Sequence, residues 1–230
     1  LFDAESKKIS LEGLTGEAPF QFNFNNGGFS TTATYSNLPG SVAGITYNYI
    51  VRDNKGCTES YTITVKQPAA ITASASISTP YTCDGPATIT ATASNGNGAP
   101  YTFTLLRGAT TVASNTTGIF GNISVAGSYT VTARDSKGCN VTTSPALIIS
   151  ALNPPTAMTI SNSALQCPSN RVSVTIDEVK NASGTVLTGT FQYQITLPAA
   201  SATAYQSSNV FTNLAPGTYT FRVKDANNCT

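Results

Sequence analysis

Three observations predict an all-β chain. Apolar or aromatic residues alternate with Thr and Ser, as in "PATITATAS", "YTFTLL", "YTVTAR", "RVSVTI" and "YTFRV", the two-residue period of a strand with one buried face. No stretch keeps a helical period between capping residues. Clusters of Gly, Asn, Pro and Asp interrupt the alternation about every 8–12 residues, the rhythm of short antiparallel strands in a β-sandwich.

The pattern is written three times. "ITYNYIVRDNKGC" ends at Cys57, "GSYTVTARDSKGC" at Cys139 and "GTYTFRVKDANNC" at Cys229. Their aspartates, Asp53, Asp135 and Asp225, lie 82 and then 90 residues apart, close to the length of one immunoglobulin-like module. The expected division is 1–67 (its N-terminal strand missing), 68–152, and 153–230 (its C-terminal strand missing). Prolines in "KQPAA" and "LNPPTA" separate the modules and make the linkers short and semi-rigid, so the sandwiches are expected to stack end to end. Each would span roughly 35–45 Å from strand rise plus turns.

The elements follow in order within each copy. "APFQF" at Ala18, "APYTF" at Ala99 and "GTFQY" at Gly189 open strand C. "NNGGFS", from Asn25 to Ser30, reads as the turn between strands C and D. Strand E ends at Asn37-Leu38, Asn122-Ile123 and Asn213-Leu214, with an aromatic two residues before each pair. Strand F opens with Tyr47, Tyr129 and Tyr219, whose hydroxyls can bond back to the backbone of the preceding corner. The F–G turn carries an aspartate to satisfy turn amides and Gly56 or Gly138 to accept a positive φ; Asn228 takes that place in the third copy. The third module also holds an insertion, "EVKNASGTVLTG".

Composition excludes several functions. Twelve Lys and Arg balance eleven Asp and Glu with no charge run, which offers nothing to nucleic acid or an anionic membrane. The apolar runs are too short for membrane insertion. Histidine is absent, removing the usual general base and zinc ligand. The close acid pairs, Asp177-Glu178 and Asp3 with Glu5, read as exposed strand-end charges and not as a hydrolytic pair. The chain is therefore read as a non-enzyme. No cofactor is expected; calcium at Asp53, Asp135 and Asp225 is the alternative, against which one carboxylate per turn falls short of about six to eight oxygens.

Five cysteines without a CxxC motif fit an oxidising, extracytoplasmic setting. Cys57, Cys139 and Cys229 follow the F–G turns, and Cys83 and Cys167 precede strand B. In a sandwich the A–B and F–G turns lie at opposite ends, roughly 20–25 Å apart for strands of six or seven residues, whereas a disulfide needs Cα atoms about 4.4–6.8 Å apart. An inter-repeat bond, Cys83 with Cys229, is therefore favoured; the intra-repeat pairs Cys83 with Cys139 and Cys167 with Cys229 stay open as the alternative. The first module lacks a cysteine near residue 2, where the counterpart of Cys83 would fall, so the chain reads as a stretch of a longer tandem array whose remaining cysteines pair outside it.

"GxYTVxxxDxxGC", a following strand G, "QPAAIT", a cysteine before strand B and "GAPYTF" together resemble the SprB-type repeat of the Bacteroidota, over nearly the whole chain. The resemblance implies an immunoglobulin- or PKD-like sandwich in a large gliding-motility adhesin, exported by the type IX secretion system to the extracellular face of the outer membrane. It also implies the partners: neighbouring repeats of the same chain, outer-membrane anchoring or motor-linked proteins, and surface polysaccharide or substratum gripped by other parts of the protein. The alternatives are a glycan- or protein-binding module, or spacer repeats of a secreted enzyme.

Overall fold

The computed structural model describes residues 2–3, 8–10, 16–165, 167 and 170–230. These are strands and turns, with one three-residue 3-10 turn, Ala199–Ser201. Contacts divide the chain into two compact units, Leu1–Ile71 with Asn95–Gly98, and Thr72–Ser94 with Ala99–Thr230.

Unit 1 contains β1 (Phe2–Asp3), β2 (Lys8–Ser10), β3 (Gln21–Phe24), β4 (Phe29–Ser30), β5 (Thr34–Tyr35), β6 (Ile45–Arg52) and β7 (Thr58–Val65). They form antiparallel sheets of order β1-β2-β5 and β4-β3-β6-β7. Phe22, Tyr47, Val51 and Val65 make the core, with Phe24 stacked between Tyr35 and Tyr47 at centroid distances of 4.2 and 5.5 Å. One expectation is corrected here. The "NNGGFS" turn does not cross to strand D on the other sheet: β4 pairs with β3, so it is a C′ strand on the C–F–G sheet. Asn25 and Asn26 both take positive φ, which folds the chain straight back beside β3.

Unit 2 begins with β8 (Thr72–Thr79), β9 (Ala87–Ser94), β10 (Thr102–Arg107), β11 (Thr110–Asn115), β12 (Ile119–Ile123), β13 (Gly127–Arg134), β14 (Asn140–Thr142) and β15 (Leu147–Ile149). Sheet β12-β9-β8 faces sheet β11-β10-β13-β14, with β15 also on β13, an immunoglobulin-like sandwich of strands A, B, E against C′, C, F, G. Strand G breaks around Pro145, and the buried Thr143 hydroxyl bridges the break by accepting the Val131 amide at 3.0 Å. The alternation in sequence is the two faces of these strands. Ile89, Leu105 and Val131 point inward with at most 1% of their surface exposed. The outward Thr and Ser pair across strands, Thr132 with Thr142 at 2.8 Å, Thr104 with Ser114 at 2.9 Å and Ser74 with Thr92 at 3.0 Å, each such pair contributing about 0.2–1 kcal/mol.

The rest of unit 2 is β16 (Ala157–Asn162), β17 (Val172–Lys180), β18 (Gln192–Leu197), β19 (Val210–Leu214) and β20 (Thr220–Lys224). Sheet β16-β17-β19 and the pair β18-β20 enclose Ile176, Val179, Ile195, Phe211 and Val223. The inserted stretch extends β17 and then turns at Asn181, whose side-chain oxygen accepts the amides of Ser183 and Thr185, both at 3.0 Å.

The corner before strand F recurs with the same chemistry. Asn37, Asn122 and Asn213 all take positive φ (56, 58 and 59°), and in unit 2 the ladder shifts register beside the last two. These are bulges that only Gly or a short polar side chain adopts cheaply. Tyr47, Tyr129 and Tyr219 then donate their hydroxyls to the carbonyls of Pro39, Val125 and Ala215 at 2.9, 2.6 and 3.0 Å. Tyr129→Phe keeps the buried ring and removes only that bond, so it is expected to lower the stability of unit 2 by about 0.5–1.5 kcal/mol in urea unfolding of the whole chain.

Tyr49 and Tyr193 have their phenols pushed above the ordinary value by burial. A phenol held protonated in the folded state contributes stability fully present below about pH 10 and lost as pH rises through the folded value. Thermal unfolding is expected to shift to lower temperature above pH 10, and Tyr193→Phe to reduce that slope.

Candidate functional site

The three F–G turns are built on one plan. Asp53 Oδ1 accepts the amides of Lys55 and Cys57, both at 2.9 Å; Asp135 Oδ1 accepts those of Lys137 and Cys139 at 3.0 and 2.9 Å; Asp225 Oδ1 accepts those of Asn227 and Cys229, both at 2.8 Å. The aspartate amide donates in turn to the cysteine carbonyl, at 3.0, 2.9 and 3.0 Å, closing the hairpin from both sides. The fourth turn residue has positive φ: Gly56 at 84°, Gly138 at 94° and Asn228 at 60°. The carboxylates thus serve as turn locks, since one oxygen of each already holds two amide hydrogens. Among the described residues no group of three or more His, Cys, Asp or Glu is placed to hold a metal ion.

Cys83 sits at the A–B turn, Thr82 to Gly85, where the amides of Thr82 and Gly85 donate to each other's residue at 3.0 and 3.2 Å. This turn meets the F–G turn after β20. Cys83 and Cys229 form a disulfide with Cα atoms 5.0 Å apart, across a sequence separation of 146. Two hydrogen bonds flank it: the Cys83 amide donates to the Asn227 carbonyl at 2.9 Å, and the Asn228 side-chain amide donates to Asp84 Oδ2 at 2.7 Å. Cys229 is buried to 1% exposure. The intra-repeat pairs Cys83 with Cys139 and Cys167 with Cys229 are not formed, because Cys83 and Cys229 are bonded to each other. Cys57, Cys139 and Cys167 are exposed; Pro168, which follows Cys167, lies outside the described residues.

Sequence reasoning missed the role of Asn228. As a tolerated substitute for glycine it explains only the backbone; its side chain also makes one of the two hydrogen bonds across the junction. Its distance in sequence from Asp84 hides the pairing. Asn181, with Gly184 at a φ of 79° and the Gly184 amide on the Asn181 carbonyl at 2.9 Å, repeats the F–G turn geometry in the insertion.

The remaining constellations are structural. Ser161 donates to Asp177 at 2.9 Å and Lys180 pairs with Glu178 at 2.8 Å, so this acid pair is held on the surface of β16 and β17; Glu5 lies outside the described residues. Tyr205 is covered by the Lys224 ammonium, 4.6 Å from its centroid. A cleft of about 420 Å³ between β11 and β12 is lined by Leu105, Val112, Ile119 and Phe120, with Arg107 its one charged side chain.

No protein-family model and no curated protein sequence matches the chain. Among solved structures, it is similar to the chicken CNTN1 FN1–FN3 domains, at 16% identity over 93% of this chain and 86% of that one, with a TM-score of 0.39. It is also similar to a Ca2+-stabilised adhesin that helps an Antarctic bacterium reach out and bind ice, at 15% identity over 91% and 64%, TM-score 0.35. A third is a tetra-tandem repeat in the extending region of a large adhesion protein, at 16% identity over 100% and 69%, TM-score 0.28. All three TM-scores are below 0.5, and the functional reading rests on the chain's own residues.

The junction geometry sets an order of effects. From reduced protein, Asp225→Ala is expected to slow formation of the Cys83–Cys229 bond severalfold, because the turn that presents Cys229 loses two of its amide contacts. Asn228→Gly keeps the turn and loses only the bond to Asp84, so its rate should lie between. The check is a quenched reoxidation time course read by non-reducing peptide mapping; Asn228→Gly reoxidising at the wild-type rate would remove Asp84 and Asn228 from the alignment of the two turns.

Proposed function

We propose that this chain is a stalk segment of a large, repetitive cell-surface adhesin, made of three repeats over 1–67, 68–152 and 153–230. The observation that carries the reading is the Cys83–Cys229 junction, which joins an A–B turn of one sandwich to the F–G turn of the next by a covalent bond and two hydrogen bonds. A bond of this kind adds roughly 2–4 kcal/mol and fixes neighbours to each other, which serves a chain that must carry load outside the cell. Strand faces covered in Thr and Ser suit a solvent-exposed rod, and a low, balanced charge gives it little electrostatic pull on either nucleic acid or lipid.

The finer reading is a gliding-motility adhesin: a filament exported by the type IX secretion system, anchored at the outer membrane to motor-linked proteins, and gripping substratum or polysaccharide through other parts of the protein. The motif resemblance supports it. The test is to attach beads carrying antibody against this segment to live cells of the source organism and track them. Beads propelled along the cell are the expected outcome. Beads that bind and stay still would leave a passive adhesin, and beads that fail to bind would overturn the surface-stalk reading.

A further inference from the structure

The disulfide closes a ring. Cys83 and Cys229 are separated by 146 positions, so everything from β9 to the last F–G turn lies in a covalent loop whose two ends meet at one point. We propose that the bond is a mechanical bypass: tension on the two ends of this chain enters unit 2 at Thr72, runs along β8, crosses the sulfur bridge and leaves through Thr230. The proposal rests on the stalk reading for its biological use, that tension is applied at all. The load path itself follows from connectivity.

Force does work only by separating the points at which it acts. Residues 84–228 have both ends at the bridge, so no tension crosses the cores around Ile89, Leu105 and Val131 or around Ile176, Ile195 and Val223. Within the loaded path, β8 is already a strand. Strands rise about 3.2–3.4 Å per residue and a fully stretched chain reaches only about 3.3–3.6 Å, so stripping β8 from β9 gains almost no length. Its edge is also held by hydroxyl pairs, Thr72 with Ser94 at 2.8 Å, Ser74 with Thr92 at 3.0 Å and Ser78 with Thr90 at 2.9 Å. Unit 2 therefore responds to load as one taut strand and one covalent bond, whatever the unfolding strength of its two sandwiches. Without the bridge the same load would pass through every strand from β8 to β20 and open both.

The test is single-molecule force spectroscopy on the full 230-residue chain, tethered at its two ends, before and after addition of dithiothreitol. The reductant passes two electrons and two protons to the two Sγ atoms, giving two thiols and its own cyclic disulfide. On reduction the total unfolded contour length is expected to rise by that of the ring, about 480–520 Å at about 3.3–3.6 Å per residue. A Cys83→Ser/Cys229→Ser chain should reach the reduced length without reductant; the wild-type measurement before and after reduction needs no variant to fold. An oxidised chain that already releases its whole length would overturn the proposal. So would a gain of only about 180–200 Å, the signature of a Cys83–Cys139 ring. The outcome is independent of the bead assay: immobile beads with a bypassed ring would sink the motility reading alone, and propelled beads with no ring would sink the bypass alone.

Discussion

One carboxylate oxygen per F–G turn, accepting two amide hydrogens, is the constraint from which the junction follows. A five-residue turn after strand F leaves several backbone amides without a ladder partner, and in each copy the aspartate takes the two that point inward, those of the second and fourth residues after it. The cysteine is the second of these donors. The lock that closes the hairpin thus also fixes where the cysteine backbone lies, and a bond tolerating Cα separations of only about 4.4–6.8 Å needs that positioning. The tyrosine at the opposite end of strand F does the complementary task by holding the strand's entry to its corner. Between Tyr219 and Asp225, strand F of the last sandwich is pinned at both ends by hydrogen bonds independent of the sulfur atoms.

Small sandwiches have reason to use such devices. A module of this length buries a modest fraction of the surface its unfolded chain exposes, and among the described residues the core cluster between β16 and β20 is Ile176, Val179, Ile195, Phe211 and Val223, with partly buried side chains packed around it. Polar closures compensate where apolar area is short. Thr143 fills a missing ladder acceptor, Thr203 does the same for Ile195 at 3.1 Å, and the corner and turn residues satisfy amides and carbonyls that loops would otherwise leave to water.

Much of this is legible in the sequence because it obeys local rules. Alternation gives the strands, the Asn-Leu or Asn-Ile and Tyr positions give the corner, and Asp with a positive-φ residue three places after it gives the hairpin. What is not legible has a physical reason in each case. "NNGGFS" announces a reversal but not which sheet receives the next strand, since a two-residue β4 carries too little alternation to choose. The insertion hides a turn of the F–G type because Asn181 replaces the aspartate and lies outside the repeat phase. The contact of Asn228 with Asp84 is tertiary, and no spacing rule reaches it. The separation of the A–B and F–G turns within one module follows from immunoglobulin-like connectivity together with strand rise, which is why the sequence favours a partner for Cys83 in the neighbouring module.

The choice of asparagine at 228 then reads as an exchange of backbone ease for partner contact. Glycine adopts a φ near +60° at no steric cost, and Gly56 and Gly138 hold that place in the other two turns. Asparagine gives up a little of that ease and gains a side-chain donor that reaches Asp84 Oδ2 at 2.7 Å, next to the sulfur atoms. At the positive-φ place of the turn, where Gly56 and Gly138 have no side chain to offer, Asn228 gives the last F–G turn a contact the other two cannot make there. In a chain with three near-identical F–G turns, a cysteine at an A–B turn meets several chemically equivalent partners during folding, and thiol exchange by itself does not discriminate among them. The Asn228–Asp84 hydrogen bond beside the sulfur atoms is a contact by which one pairing of turns differs from the others, which is why the Asn228→Gly reoxidation rate is the informative one.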